Sequence, residues 1–353
     1  MNKSKEEKIK SFDFDGLLTF DKNIFGLPFN EEESEIIIIP VPWDVSVSYN
    51  DGASNAPEAI KRASAQLDLY DLEYQNPWQA GIFMEEVSDY WKNENNKYRK
   101  LSKEYINYIS SGKPIDDRPD MKEKLEKINK VCDKLNKWVE EKATNYLENN
   151  KIVCVLGGDH SSPLGLIRAL SKKHKSFSIL QIDAHADLRI AFEGFEFSHA
   201  SVMNHALKIN NIESLVQVGV RDIGHQEMTL IKNKSERIHT FFDIEIKNDL
   251  YKGGTWHNIT EAIVPLLNEK VYISFDIDGL EPYLCPNTGT PVPGGLSFNE
   301  ITYLLQRLLA HNKQIIGFDL CEVSPRDKEW DANVGARVLY KLCAAAARSK
   351  KLI

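Results

Sequence analysis

Residues 177–187, FSILQIDAHAD, contain the pattern from which the architecture of this chain is predicted. The first half is an apolar run typical of a buried strand, and the second half presents Asp183, His185 and Asp187 at every second position. Side chains two apart on an extended backbone point the same way, so these three can converge just beyond the strand end. Burying two carboxylates and an imidazole together is costly unless a cation lies between them. The pattern therefore predicts a metal site, and the plainer alternative is a solvated loop after a strand.

Short runs rich in β-branched residues recur along the chain, separated by intervals long enough for a helix. This alternation is typical of a parallel sheet with helices on both faces. The four consecutive isoleucines of the first run suit a strand that is buried on both faces. The predicted strands are 35–41, 151–156, 177–182, 215–220, 237–242, 271–275 and 314–320, and the predicted closing helix is 332–348.

Two parts of the chain depart from this alternation. Residues 1–33 are mixed and charged, and we expect them to form an N-terminal arm. Residues from about 85 to 150 are rich in Lys and Glu, and apolar residues three to four apart from Met121 to Val139 indicate an amphipathic helix. We expect a helical insertion there, whose charged side is either a solvated face or a subunit contact. A length of 353 residues allows one large domain or two smaller ones, and the regular alternation favours a single domain over 34–353.

Composition excludes several classes of partner. The net charge of −8 indicates no basic face for a nucleic acid or an anionic membrane, and it is compatible with a cationic substrate. No apolar run approaches membrane-spanning length, and the N-terminus lacks the apolar core of a signal peptide. The five cysteines are odd in number and form no CxxC pair, which fits a reducing compartment. We therefore expect a cytoplasmic protein.

Polar residues that can bind metal follow four of the predicted strands. GGDHSS follows the strand at 151–156, DAHAD the strand at 177–182, DID the strand at 271–275, and Glu322 comes just after 314–320. GGD turns are common, so GGDHSS indicates a site only in combination with the other three motifs. In an open parallel sheet the carboxyl ends of the strands meet at one ligand site. The candidate metal ligands are His160, Asp183, His185, Asp187, Asp276 and Asp278.

Two histidines and four carboxylates carry too much negative charge for one divalent ion and suit two, if some carboxylates bridge. Ligation by oxygen with some imidazole favours Mn²⁺, with Fe²⁺, Co²⁺ or Ni²⁺ as alternatives. The sequence therefore predicts two Mn²⁺ ions. Two such ions lower the pKa of a shared water, so that hydroxide is available near neutral pH.

The motifs resemble those of the arginase/agmatinase (ureohydrolase) family, and agmatinases most. They are GGDHS at 157–161, DAHAD at 183–187, SFDIDGLEP at 274–282, TGTPVPGG at 288–295 and EVSP at 322–325, in the family's order. The resemblance covers about residue 36 to the C-terminus. It implies a three-layer α-β-α fold with a mostly parallel, doubly wound sheet, two Mn²⁺ ions, and hydrolysis of a guanidinium group to urea and an amine. It also implies a homo-oligomer, a trimer or a hexamer.

The resemblance assigns roles to the residues that match. One ion would be bound by His160, Asp183, Asp187 and Asp276, and the other by Asp183, His185, Asp276 and Asp278. Asp187 would carry a proton to the leaving amine, and Glu322 would bind the guanidinium group through paired charge-assisted hydrogen bonds. His199 matches a histidine that shuttles protons and contacts substrate. The alternative for His199 is a core or helix-capping histidine.

The loops that choose the substrate favour agmatine. Arginases follow DAHTD with Asn, Thr and Ser residues that hold the α-carboxylate of arginine, and LRIAFEGFEFSHA lacks those donors. Glu227 matches an arginase glutamate near the α-amino group and is a candidate substrate-binding residue, whereas Gly224 stands where an aspartate is expected. Other guanidino compounds (guanidine, guanidinobutyrate, arginine) remain open, because Phe192, Phe195 and Phe197 could close a smaller pocket. So does formimidoylglutamate, although formimidoylglutamases lack the SHA histidine.

Two readings from other classes are also open. One is an inactive family member that serves as an assembly subunit, although all of the predicted ligands are present. The other is a two-metal phosphoesterase, against which Glu322 counts because a carboxylate would repel a phosphate.

Overall fold

The computed structural model of the chain describes residues 4–16, 23–112, 114–326 and 329–353. Its centre is one eight-stranded sheet in which all paired neighbours run parallel. The strands are β1 (Ile36–Pro40), β2 (Ile82–Met84), β3 (Ile152–Leu156), β4 (Phe177–Ile182), β5 (Ile212–Val220), β6 (Ile238–Phe242), β7 (Lys270–Phe275) and β8 (Gln314–Leu320). Their order across the sheet is β2-β1-β3-β8-β7-β4-β5-β6.

The helices cover both faces of the sheet. They are α1 (Lys5–Ser11), α2 (Ala56–Ser64), α3 (Asp89–Ser110), α4 (Pro119–Glu148), α5 (Leu164–Lys173), α6 (Val202–Ala206), α7 (His225–Asn233), α8 (Asp243–Tyr251), α9 (Trp256–Ile263), α10 (Phe298–Ala310) and α11 (Trp330–Ser349). The predicted closing helix is present as α11.

The two faces of the sheet bury separate cores. Cys154 of β3 lies in one core with residues of α2, α10 and α11, whereas Val153 and Val155 lie in the other with residues of α4, α5 and α6. Successive side chains of a strand point to opposite faces, so every residue of β3 is buried. This arrangement is the predicted three-layer α-β-α fold with a parallel, doubly wound sheet, which is confirmed.

All seven predicted strands are present, and β2 is an eighth that sequence reasoning missed. It has three residues and pairs only with β1, through Ile36↔Ile82 to Ile38↔Met84. A run this short has no measurable periodicity, so only its neighbour in space identifies it as a strand.

Part of the segment predicted as an N-terminal arm belongs to the core. Ile24, Phe25, Leu27 and Phe29 are almost completely buried, and the backbone N–H of Phe25 donates to Ser64 Oγ of α2 at 2.8 Å. Residues 1–3 and 17–22 of this segment lie outside the described residues.

The region predicted as a helical insertion contains α3 and α4, which pack against each other and form what we call the helical pair. The predicted apolar stripe of α4 faces the core, with Ile128, Leu135 and Val139 buried and α5 packed against it. None of the helices in the described ranges is long and apolar enough to cross a membrane. All five cysteines are buried and free.

Candidate functional site

The candidate site lies at the carboxyl ends of β3, β8, β7 and β4, which are neighbours in the sheet. The segments that follow these strands contribute GGDH, Glu322, the DID motif and DAHAD. Most of the acidic and imidazole side chains there are buried, although His185 keeps 23% of its side chain exposed. The predicted residues that the structure brings together are His160, Asp183, His185, Asp187, Asp276, Asp278 and Glu322.

The turn after β3 depends on glycine. A Cβ on Gly158 would lie 1.9 Å from the carbonyl oxygen of Trp43, in the loop that follows β1. Without one, the N–H of Asp159 donates to that carbonyl at 2.7 Å, and the N–H of Glu322 donates to Gly158 O at 2.7 Å. The turn therefore joins the loops after β1, β3 and β8 and sets where His160 points.

The ligands form two groups that share Asp183. In the first group, His160 Nδ1 lies 2.8 Å from Asp187 Oδ2, 3.0 Å from Asp183 Oδ2 and 3.3 Å from Asp276 Oδ2. In the second, His185 Nδ1 lies 3.1 Å from Asp278 Oδ2 and 3.5 Å from Asp183 Oδ1. His160, Asp183 and Asp276, and likewise Asp183, His185 and Asp278, place ligand atoms close enough to share one ion. The two oxygens of Asp183 face different groups, as expected of a bridging carboxylate.

The hydrogen bonds of His160 show that its Nδ1 suits a cation. Ser274 Oγ donates to Asp319 Oδ2 at 2.8 Å, so the 2.9 Å contact between Ser274 Oγ and His160 Nε2 requires the hydrogen on Nε2. Despite its burial, contacts with Asp183 and Asp187 raise the pKa of His160 well above its ordinary value, so Nδ1 carries a proton in the metal-free protein. Nδ1 is buried and faces three carboxylate oxygens. A divalent cation between these atoms would replace that proton, with the Nδ1 lone pair as a ligand.

The electrostatics of the site point the same way. Burial, together with the charge of Asp183, raises the pKa of Asp187 to about 7. Burial and the neighbouring Asp278 raise the pKa of Asp276 well above its ordinary value, and burial and Asp159 do the same for Glu322. These three carboxylates are thus held where their charge is costly, and bound cations would offset that cost.

Four polar residues inside the strands support the ligands and were missed from the sequence. Ser274 and Asp319 orient His160. Gln181 donates to Asp183 Oδ2 at 2.7 Å, and Gln217 donates to Gln181 Oε1 at 2.6 Å. All four interrupt apolar runs at fully buried positions. A polar residue within a predicted central strand is the signal that could have found them.

Asp187 and Glu322 have left-handed backbones, with φ of 53° and 61°. This conformation is uncommon for residues other than glycine and clusters at functional sites. Glu322 Oε1 accepts from the N–H of His160 at 2.9 Å. A Cβ on Gly289 would lie 3.0 Å from Glu322 Oε2.

A cleft of about 480 Å³ opens above the ligands. His185, Asp187, His199 and Glu227 line it, whereas the remaining predicted residues, including Glu322, are buried and are not among its lining residues. Of the three phenylalanines considered for closing the pocket, only Phe192 lines the cleft. Phe195 packs against Tyr105, and Phe197 stacks on His205.

The two polar candidates in the cleft wall have different surroundings. Burial, with the positive charge of His185 and His160, lowers the pKa of His199 to about 3. Glu227 is buried and accepts from the N–H of Leu188 at 3.0 Å and of Gly224 at 2.9 Å. Arg189 Nε lies 3.5 Å from Glu227 Oε2. The carboxylate of Glu227 therefore ties the loop after DAHAD to the start of α7.

Comparisons with known proteins agree with this geometry. A sequence model described as the arginase family matches residues 34–345. The N(1)-aminopropylagmatine ureohydrolase of Thermus thermophilus is 30% identical over 309 residues, which cover 88% of this chain and 89% of that protein. The agmatinase of Bacillus anthracis is 27% identical over 294 residues, covering 83% and 85%. The crystal structure of agmatine ureohydrolase of Thermoplasma volcanium superposes with a TM-score of 0.69 at 24% identity, covering 98% of this chain and 99% of that one.

Proposed function

Because the chain belongs to the arginase family and is a hydrolase of guanidino compounds, we propose that it converts agmatine to putrescine and urea. The observation that carries the proposal is the pair of ligand groups sharing Asp183, with the carboxylate of Glu322 hydrogen-bonded to the backbone of His160. Burying so many carboxylates together is costly, and bound cations of a metal-dependent hydrolase would offset that cost.

We propose Mn²⁺ as the metal at both positions. The ligand set is four carboxylates and two imidazoles with no thiolate, which suits manganese better than zinc or copper. The first ion would be held by His160, Asp183, Asp187 and Asp276, and the second by Asp183, His185, Asp276 and Asp278. Two bound ions would supply a water of lowered pKa for attack on the guanidinium carbon.

The chain's own residues bind the substrate and move protons. Glu322 accepts N–H bonds from the planar guanidinium group and holds it above the ligands. Asp187, with its pKa raised to about 7 in the metal-free protein, passes a proton to the nitrogen that leaves as the amine. His199, in the cleft wall, contacts the substrate and passes protons to solvent. Its pKa of about 3 in the metal-free protein keeps the ring neutral between transfers. Glu227 holds the cleft wall in place and contacts the far end of the substrate.

The cleft wall favours a distal ammonium group over a carboxylate. Asp222 is exposed there, whereas the cationic Arg189 is engaged by Glu227 and lies 4.8 Å from the ring of Phe192. We expect Asp222→Asn to lower kcat/KM for agmatine about fivefold, the worth of one partly exposed charge pair. Turnover of guanidinobutyrate, which has a carboxylate in place of the ammonium group, should not fall, because the change removes a like charge. Equal losses on both substrates would contradict this assignment.

A second candidate substrate is N(1)-aminopropylagmatine. The relative from Thermus thermophilus is named for hydrolysis of that compound. The cleft is open and has room beyond a four-carbon chain, and Tyr49 stands in its wall with 75% of its surface exposed. A longer polyamine tail could lie along this wall.

The test is a substrate panel on manganese-loaded protein. Urea release is measured from agmatine, N(1)-aminopropylagmatine, arginine, guanidinobutyrate and guanidine, and glutamate release from formimidoylglutamate. We expect the highest kcat/KM for agmatine. A higher value for N(1)-aminopropylagmatine would select the second candidate, and no urea from agmatine would reject the first.

The same panel tests the reading as an inactive assembly subunit. Full metal occupancy with no turnover of any compound would support that reading.

We also propose that the protein is a homo-oligomer, a trimer or a hexamer. Sedimentation velocity would measure the oligomeric state.

A further inference from the structure

We propose that Ser46 is a positioning residue that fixes the orientation and tautomer of His199, and that α3 of the helical pair holds Ser46 in place. The proposal rests on the proposed role of His199 as a proton carrier. Neither Ser46 nor α3 carries a metal ligand, although Ser46 bonds to Asp159, the residue before His160.

Ser46 joins two loops of the site. It lies in the loop after β1 and is fully buried. Its Oγ accepts from the backbone N–H of His199 at 3.2 Å and lies 3.4 Å from His199 Nδ1. Ser46 therefore contacts both the backbone and the ring of one histidine in the cleft wall.

Asp159 sets the direction of these bonds. Ser46 Oγ donates its single hydrogen to Asp159 Oδ2 at 3.0 Å. The other carboxylate oxygen of Asp159 accepts from the N–H and the hydroxyl of Ser161. Because the hydroxyl hydrogen of Ser46 is used, the ring contact requires that His199 Nδ1 carry the hydrogen. Nε2 of neutral His199 is then the unprotonated nitrogen, free to take or pass a proton in the cleft.

The loop that carries Ser46 is held by α3. Arg99 Nη1 donates to the carbonyl oxygens of Val45, at 3.3 Å, and of Val47, which lie on either side of Ser46. Asn95 Oδ1 accepts from the N–H of Asp44 at 2.8 Å, and its Nδ2 donates to Asp44 Oδ1 at 3.0 Å. Arg99 and Asn95 are both nearly buried. Side chains whose rotamers are held by burial on a long helix suit this task, because they can fix a loop that lacks secondary structure.

The helical pair also holds the loop that carries His199. Tyr105 OH of α3 donates to Glu193 O at 2.8 Å. Asn129 of α4 donates to Gly194 O at 3.2 Å and accepts from the N–H of Glu196 at 3.0 Å. Both loops that meet at the Ser46–His199 contact are thus hydrogen-bonded to the helical pair. The helical pair has a function in the site although it contributes nothing to the cleft floor.

The kinetic test compares Ser46→Ala with the wild type on agmatine, or on whichever panel substrate is turned over. We expect kcat to fall about tenfold, a part of the roughly 10²–10⁴-fold that positioned acid–base groups contribute. KM and metal content should stay within about twofold, since the metal ligands are untouched. The matched control is Ser64→Ala, which removes a buried serine hydroxyl with two hydrogen bonds far from the site. A similar loss of kcat in the control would overturn the proposal.

A double-mutant cycle then asks whether Ser46 acts through His199. In the His199→Ala background, adding Ser46→Ala should lower kcat by less than about twofold, because the group being positioned is gone. Independent losses that multiply would mean that Ser46 acts in another way. Arg99→Gln should likewise lower kcat as a single variant and cause no further loss in the Ser46→Ala background. Its control is Arg118→Gln, a change at an exposed arginine.

The tautomer itself can be measured without activity. Nitrogen-15 spectra of histidine-labelled protein loaded with diamagnetic Zn²⁺ identify the His199 signals as those lost in His199→Ala. We expect shifts of the Nδ1–H form in the wild type and of a tautomer mixture in Ser46→Ala. The Nε2–H form in the wild type would overturn the proposal, even if the substrate proposal is right. Conversely, no turnover of any substrate would reject the proposed function and leave this readout intact.

Discussion

The proposed roles divide the individual side chains of the site into metal ligands and substrate-binding groups. We expect Asp183→Asn and Asp276→Asn to lose metal and activity together, because Asp183 belongs to both candidate ligand groups and Asp276 to the first. Glu322→Gln should keep both ions and lose kcat/KM by between about tenfold and about a hundredfold, the worth of a hydrogen bond to a charged group. Elemental analysis and urea release on the same samples measure both. Equal metal loss in all three variants would contradict the assigned roles.

Residues behind the ligands should affect metal affinity without touching the ion. Ser274→Ala removes the acceptor that fixes the hydrogen on His160 Nε2, so we expect metal binding to weaken by about tenfold to a hundredfold. The control is Ser178→Ala, a buried serine of β4 whose hydroxyl bonds to Asn268 and Ser214. Calorimetric titration with Mn²⁺ makes the comparison. Unchanged affinity in Ser274→Ala would mean that the tautomer of His160 is fixed in some other way.

At the scale of elements, the strand-to-loop turns decide whether the ligands meet. Gly158→Ala places a Cβ against the backbone of Trp43, which is rigid. We expect the turn to move, metal affinity to fall, and the protein to lose at least about 1–3 kcal/mol of stability, as in overpacked cores.

Gly253→Ala is the control for this turn. An added Cβ meets nothing within 4 Å there, and only the backbone φ of 91° opposes it. Its effect should be a modest loss of stability with full metal affinity, measured by denaturant unfolding and titration. A Gly158→Ala protein that binds metal normally would show that the close approach to Trp43 is not needed.

The helical pair contributes to the site through hydrogen bonds to the loops of the cleft. Its amphipathic pattern was visible from Met121 to Val139, and α4 buries that stripe as predicted. The pattern could not reveal the hydrogen bonds from the helical pair to two loops of the cleft. They are made by Arg99, Asn95, Tyr105 and Asn129. Those contacts join residues from 51 to 88 positions apart, and no local periodicity reports them.

For the whole molecule, metal binding, folding and pH are linked. Burial and the charge of Asp183 raise the pKa of Asp187 to about 7 in the metal-free protein. Below that pH Asp187 holds a proton that an ion must displace, so the Kd for Mn²⁺ should rise as pH falls from 8 to 6, by about tenfold per unit for each proton released. Titrations at three pH values measure this. An affinity independent of pH would contradict it.

Bound metal should also stabilise the fold. At a hundredfold excess over Kd, the ion should add about 2.7 kcal/mol to the free energy of unfolding. Asp183→Asn should gain none, and chelation should return the wild type to the lower value. Thermal or denaturant unfolding with and without Mn²⁺ tests this, and equal stability in both conditions would argue against a metal held by the folded chain.

The sequence by itself determined the sheet, its parallel sense and the residue types of the candidate metal site, because these depend on local patterns. Strand runs, helix-length intervals and DAHAD at alternate positions are all visible within a few residues. Only the tertiary structure decided that β2 completes the sheet edge, that core residues lie within the expected arm, and that Ser274, Asp319, Gln181 and Gln217 support the ligands. The physical reason is that burial and hydrogen bonding between distant segments are properties of the packed chain, and a polar residue in a strand acquires its partner only when neighbouring strands assemble.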